Sequence, residues 1–99
     1  MINKMRPIHP GEILKEELDT IGLSANAFAG KLHVPTNRIT AILNEERDVT
    51  PETAIRLARF FGTTPEFWLN VQRDFDLKIT IKKFGKKIDH DIDPYKEVA

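Results

Sequence analysis

The stretch that decides the fold is Ser24 to Leu43, SANAFAGKLHVPTNRITAIL. Ser24 is a good N-cap, because its hydroxyl can accept a backbone N–H that the first helical turn leaves free. Phe28, Ala29 and Leu32 then supply an apolar helical face. His33-Val34-Pro35 break that pattern, and Pro35 fits best just at the start of the next helix, Thr36 to Leu43, with Ile39, Ile42 and Leu43 facing inward. A turn this tight keeps the two helices from lying antiparallel, so they cross steeply. Ala29 is the small residue at the crossing, Val34 fills the corner and Ile39 packs back on the first helix. Thr36, Asn37, Arg38, Thr40 and Ala41 are left on or beside the outward face. These residue types suit a DNA reader: Arg pairs bidentately with guanine, Asn with adenine, and Thr or Ala touches a thymine methyl. In such a motif the N-terminal half of the second helix enters the major groove. The same periodicity is equally open to a plain helical hairpin with a solvated polar face.

On the N-terminal side, His9-Pro10-Gly11-Glu12 opens a first helix, with Ile13, Leu14 and Leu18 apolar and Gly22 ending it. On the C-terminal side, Asn44 to Val49 is a polar loop. Thr50-Pro51-Glu52 starts a fourth helix, whose apolar residues are Ala54, Ile55, Leu57, Ala58 and Phe61. Gly62 stops it, and Thr64-Pro65-Glu66 repeats the start signal for a fifth helix striped by Phe67, Trp68, Val71 and Phe75. Arg56 and Arg59 are placed to pair with Glu52 and Glu66.

Beyond Asp76 two patterns compete. Leu77, Ile79 and Ile81 alternate with Lys78, Thr80 and Lys82, as in a strand. Leu77, Ile81, Phe84 and Ile88 also recur as they would on a continuing helix. Gly85 costs a helix ~1 kcal/mol relative to Ala, and the β-branched residues at 79–81 weaken it further. The expectation is therefore a fifth helix reaching about residue 76, then an extended or strand segment and a frayed acidic end. The predicted fold class is all-α: a five-helix, repressor-like helix-turn-helix domain over residues 1–76, and a C-terminal extension over 77–99 for dimerisation or contact with a partner protein. Trp68, Val71, Phe75, Leu77, Ile79 and Ile81 are the candidate dimer residues.

Composition limits the alternatives. A chain of 99 residues is one domain long and can bury one modest core. With no cysteine it has no disulfide framework and no thiolate metal site, which fits a reducing cytosol. No apolar run is long enough to span a membrane, and the N-terminal residues have no uninterrupted apolar core of the signal-peptide kind. His9, His33 and His90 are scattered without metal-ligand spacing, and His9 reads as a helix-start residue. No nucleophilic set, phosphate loop or paired catalytic carboxylate stands out, so no catalytic residue, cofactor or metal is expected. Net charge is zero, against the basic balance common in nucleic-acid binders. The charge is patchy, however, and Lys78, Lys82, Lys83, Lys86 and Lys87 form a run without an acid.

The order HPGEIL (9–14), VPTNRI (34–39), ILNEERDVTPETAIRLARFFGTTPEFWLNVQ (42–72) and FDL (75–77) resembles the HigA-type antitoxins within the phage-repressor-like (XRE) helix-turn-helix family. The resemblance covers roughly residues 7–77. It implies a cytoplasmic homodimer that binds double-stranded operator DNA, represses its own operon and neutralises a HigB-type toxin, a ribosome-dependent mRNA endonuclease. It also implies that Thr36, Asn37, Arg38 and Thr40 contact bases or nearby phosphates, and that Ser24, Asn26 and Arg47 contact phosphates. A stand-alone repressor and a protein-interaction module that does not bind DNA are the alternatives. The chain departs from the family pattern twice: Ala25 stands where Gln often follows the cap, and Glu45-Glu46 stand where Gly and a basic residue often follow Asn44.

Overall fold

Helices begin where the sequence supplies a cap. Ser24 Oγ accepts from Ala27 N, Thr50 Oγ1 from Thr53 N and Thr64 Oγ1 from Phe67 N. His9 caps the first helix with its ring, Nδ1 accepting from Gly11 N at 2.9 Å. The computed structural model describes residues 6–96. Among them lie five helices and no strand: α1 (Pro10–Ile21), α2 (Ala25–Leu32), α3 (Thr36–Leu43), α4 (Pro51–Phe61) and α5 (Pro65–Asp91). Gly22 and Gly62 close α1 and α4 in the left-handed conformation, where a side chain would be strained.

The core gathers one face of every helix: Leu14 and Leu18, Phe28 and Leu32, Ile39 and Ile42, Ala54 and Leu57, and Trp68, with Val49 from the loop before α4. An aromatic cluster of Phe28, Phe60, Phe61 and Trp68 joins α2, α4 and α5, with neighbouring ring centroids 5.0–5.8 Å apart. Trp68 Nε1 donates to Thr63 Oγ1, so the buried indole leaves no orphan donor. At the other end of the core, His9 meets Phe75 edge-on at 4.9 Å. Gly11 sets how closely α1 can approach α3. A Cβ built there would lie 2.0 Å from the carbonyl oxygen of Ile42, so no larger residue fits.

The tail departs from the expected break near residue 76. The helix α5 continues unbroken for 27 residues to Asp91, about 40 Å at 1.5 Å per residue, and residues 77–91 are helical instead of strand. The physical reason lies in periodicity. Leu77, Ile81, Phe84 and Ile88 fall on one helical stripe that Ile92 extends, while Lys78, Lys82, Lys83, Lys86 and Lys87 lie on the remaining faces. Pairs of Asp74 with Lys78 and of Lys87 with Asp91, four residues apart, add local support. The protomer leaves this stripe uncovered, and Leu77, Ile81, Phe84, Ile88 and Ile92 are all exposed. Residues 1–5 and 97–99, the outer ends of the two expected segments, lie outside the described residues.

Candidate nucleic-acid interface

The candidate reading face is built by the α2–α3 pair. Between them His33 takes a left-handed conformation (φ 58°), and the N–H groups of His33 and Val34 return to the carbonyls of Gly30 and Ala29. The reversal brings the N-termini of the two helices side by side. Thr36 Oγ1 donates to Asn26 Oδ1 at 2.8 Å. This bond joins a residue expected to face bases with one expected to face phosphate. It leaves the amide N–H₂ of Asn26 and the hydroxyl of Ser24 available as donors. Asn37 is exposed; Thr36, Thr40 and Ala41 are half-buried, and Thr40 Oγ1 bonds back to Asn37 O at 3.3 Å. Pro35 at the N-cap of α3 makes no side-chain cap bond; the N–H of Arg38 donates to Pro35 O at 3.1 Å, which leaves the backbone N–H groups of Thr36 and Asn37 at this end of α3 without a cap.

Arg38 is not free. Its Nη1 donates to Glu52 Oε1 at 3.0 Å, and Glu52 Oε2 accepts from Arg56 Nη2, also at 3.0 Å. Arg56 Nη1 in turn donates to the carbonyl of Leu32 at the end of α2, at 2.8 Å. The two arginines hold the Glu52 carboxyl below its usual range, Arg56 first and Arg38 second. The Arg56–Glu52 pair is the one expected from the spacing, whereas Arg59 makes no ion pair among the described residues.

The loop after α3 carries Arg47, which is exposed. Glu45 sits there at φ 61°, a conformation that favours glycine, and this explains why a family pattern would place Gly at that position. Gln72 anchors the loop from α5. Its Oε1 accepts from Val49 N at 2.8 Å, and its Nε2 donates to Asp48 at 3.2 Å and to Asp76 at 3.0 Å. Sequence reasoning missed both Glu52 and Gln72. For Glu52 the pairing with Arg56 follows from spacing but the contact to Arg38 does not; for Gln72 a polar residue on the stripe of Trp68 and Phe75 is the available clue.

The candidate dimer residues divide. Leu77, Ile79 and Ile81 are exposed, and Val71 and Phe75 are half-buried. Trp68 is different: it is 1% exposed in the core of the protomer, so it is placed to hold α5 on α4 and has no surface to offer a partner. Among the described residues no group of His, Cys, Asp and Glu is placed to hold a metal, and no helix is long and apolar enough to cross a membrane.

This geometry has close counterparts among solved structures. The addiction module antidote protein of the HigA family from Coxiella burnetii is 61% identical, with a TM-score of 0.90 over 92% of this chain and 100% of its own. The Helix-turn-helix family model matches residues 14–68. The chain belongs to the HigA-type antitoxins of the helix-turn-helix family. A second HigA-type structure, the Pseudomonas aeruginosa antitoxin HigA with the higBA promoter, is 40% identical with a TM-score of 0.89, over 92% of this chain and 100% of that one. Virulence-associated protein I of Dichelobacter nodosus is 53% identical over 78% of this HigA-type chain and 72% of its own length. The five-helix fold, strand-free among the described residues, is thus that of the HigA structures.

Proposed function

We propose that this chain is a sequence-specific DNA-binding antitoxin that works in the cytoplasm as a homodimer, represses its own operon and neutralises a HigB-type mRNA endonuclease. The observation that carries the DNA reading is the paired N-termini of α2 and α3, joined by the Thr36–Asn26 bond, with Asn37 and Arg38 beside them. The Pseudomonas relative that shares the fold is a structure with its promoter, which supports the same surface here. On this reading Thr36, Asn37, Arg38 and Thr40 meet base edges or the nearest phosphates, and Ser24, Asn26 and Arg47 hold the phosphate backbone. The uncovered stripe of Leu77, Ile81, Phe84 and Ile88 supports pairing of two α5 helices, since its spacing of four and three suits a helix–helix seam. Residues 77–96 then serve as the dimerisation or toxin-contact extension, and no step of this function calls for catalysis by the chain.

The test uses the promoter fragment of the chain's own operon, a scrambled fragment of equal length, and the product of the neighbouring reading frame. Tighter binding to the promoter than to the scrambled fragment is expected, with affinity falling as salt rises because phosphate contacts release counterions. Co-purification with a basic, toxin-like neighbour, and relief of its mRNA cleavage, is expected in the same preparation. Equal affinity for both fragments sinks the operator reading. Operator binding with no effect on any neighbouring product leaves a stand-alone repressor.

A further inference from the structure

The Arg38–Glu52–Arg56 chain is a polar network that ties α3 to α4 and to the end of α2. It runs from the end of α2, where Leu32 O accepts from Arg56, through Glu52 on α4 to Arg38 on α3. As a stabilising device it is weak, because Glu52 is largely exposed and exposed ion pairs contribute little. Its geometry is more informative. Arg56 is fixed at both ends, by a backbone carbonyl and by Glu52, and its Nε is buried with no acceptor among the described residues. Glu52 is therefore held on a rigid neighbour, and its other oxygen is aimed at Arg38.

The contact uses only Nη1 of Arg38. A guanidinium is planar, and its Nε–H and its second amino group, Nη2, form a parallel edge of two donors. That edge stays uncommitted among the described residues, and it is the fork that pairs bidentately with guanine O6 and N7. The carboxylate also fixes the rotation of a long side chain that would otherwise lose much rotamer freedom on binding. We infer that Glu52 is a positioning residue for base recognition: it holds Arg38 by one amino group so that the opposite edge of the guanidinium reads a guanine in the operator. This rests on the reading of the chain as an operator-binding protein. It adds a specificity determinant that lies outside the helix-turn-helix itself.

The inference separates orientation from charge. A carboxylate near DNA repels phosphate, so its removal by itself tightens binding to any sequence. Loss of orientation weakens binding to the operator alone. The experiment compares wild type, Glu52→Gln, Arg38→Ala and the double variant on the operator, on operators substituted one base pair at a time, and on scrambled DNA. Melting of each variant is followed by circular dichroism to establish that it is folded. Expected for Glu52→Gln is about tenfold weaker operator binding, the effect of one good bidentate contact, with scrambled DNA bound as well as before or better. The lost base preference falls at the same base pair as in Arg38→Ala, and the double variant loses no more than Arg38→Ala alone. Glu52→Gln that binds operator and scrambled DNA more tightly by the same factor shows a repelling charge only and overturns the inference. So does relaxed preference at a base pair that Arg38→Ala leaves intact, or an unchanged ratio of operator to scrambled affinity. Failure of the wild type to prefer its operator is a different result, which overturns the DNA reading on which the inference rests.

Discussion

Replacing Gln72 by alanine removes three hydrogen bonds at once and uncouples the loop that bears Arg47 from α5. The largest loss is the acceptor for Val49 N–H, since Val49 is 3% exposed and the freed donor has no water to turn to. An orphaned buried donor costs about 1–3 kcal/mol. Truncating a side chain that is itself buried removes a methylene and its packing, about 1 kcal/mol more. The bonds to Asp48 and Asp76 are nearer the surface, and those carboxylates can rehydrate, so they add little. The sum is a destabilisation of about 2–4 kcal/mol, a large part of the 5–15 kcal/mol typical of a domain. Urea unfolding measures it, and amide exchange locates it: Val49 N–H is expected to lose protection while the amides of α2 and α3 keep theirs. Operator affinity is expected to fall together with the loop's order. Gln72→Glu sharpens the assignment. It keeps an acceptor for Val49 N–H but places a third carboxylate beside Asp48 and Asp76, so it destabilises at neutral pH and recovers on acidification. If Gln72→Ala shifts stability by less than about 0.5 kcal/mol, as an exposed substitution does, and Val49 keeps its protection, the anchoring role is refuted.

Gly11→Ala is expected to cost about 3 kcal/mol or more by denaturant unfolding, because its Cβ would sit 2.0 Å from Ile42 O and helix α1 must shift off α3. Glu45→Gly is expected to stabilise by about 0.5–1 kcal/mol, the relief of a left-handed side chain less the added freedom of glycine in the unfolded chain; a lower melting temperature would contradict the strain. The Glu52 carboxyl is held below its ordinary 4.5 by Arg56 and Arg38, so its contribution is present above that value and is lost as pH falls through the lower folded one. The stability difference between wild type and Glu52→Gln should therefore shrink on acidification, and a difference that grows as pH falls would contradict the pairing.

The sequence makes the helix starts and stops legible because each is a local event. Ser24, Thr50 and Thr64 cap the helices they precede, and Gly22 and Gly62 close theirs, without reference to anything distant. The core residues of α1 to α4 follow from the same short-range periodicity. The length of α5 was misread for a reason of scale. Gly85 and the β-branched run at Ile79–Ile81 count against helix locally, by ~1 kcal/mol or less per residue. The stripe from Leu77 to Ile92 spans four turns and favours helix over its whole length. Over a short window the alternation at 77–82 looks like a strand; over the full tail the helical period places Leu77, Ile81, Phe84 and Ile88 on one side and leaves only Ile79 off the stripe. The Trp68 placement shows a related limit. Helical spacing separates a stripe from its polar flanks but does not say which end of a long helix is covered by its own protomer. Trp68 lies where α5 meets α4, and Leu77 lies beyond the last helix that could cover it.

The polar residues that position the reading face were illegible for a different reason, which bears on how a chain of zero net charge would discriminate between DNA sequences. Glu52 lies 14 residues from Arg38, and Gln72 lies 23 residues from Val49; no periodicity within one helix reports such contacts. Both act by restricting groups on other elements. A strongly basic protein gains affinity for any duplex, and its sequence preference must be won against that background. On the proposed reading, Glu45 and Glu46 next to Arg47 in the loop, and Glu52 paired with Arg38, keep the general attraction small. Preference then depends on donors and acceptors being held where the right bases are, by the Asn26–Thr36 bond, the Glu52–Arg38 bond and the Gln72 anchor. On the proposed reading, carboxylates that look unfavourable when charges are summed become favourable when orientation is counted, because each lowers binding to every sequence while one of them, Glu52, aims the arginine proposed to separate one sequence from another.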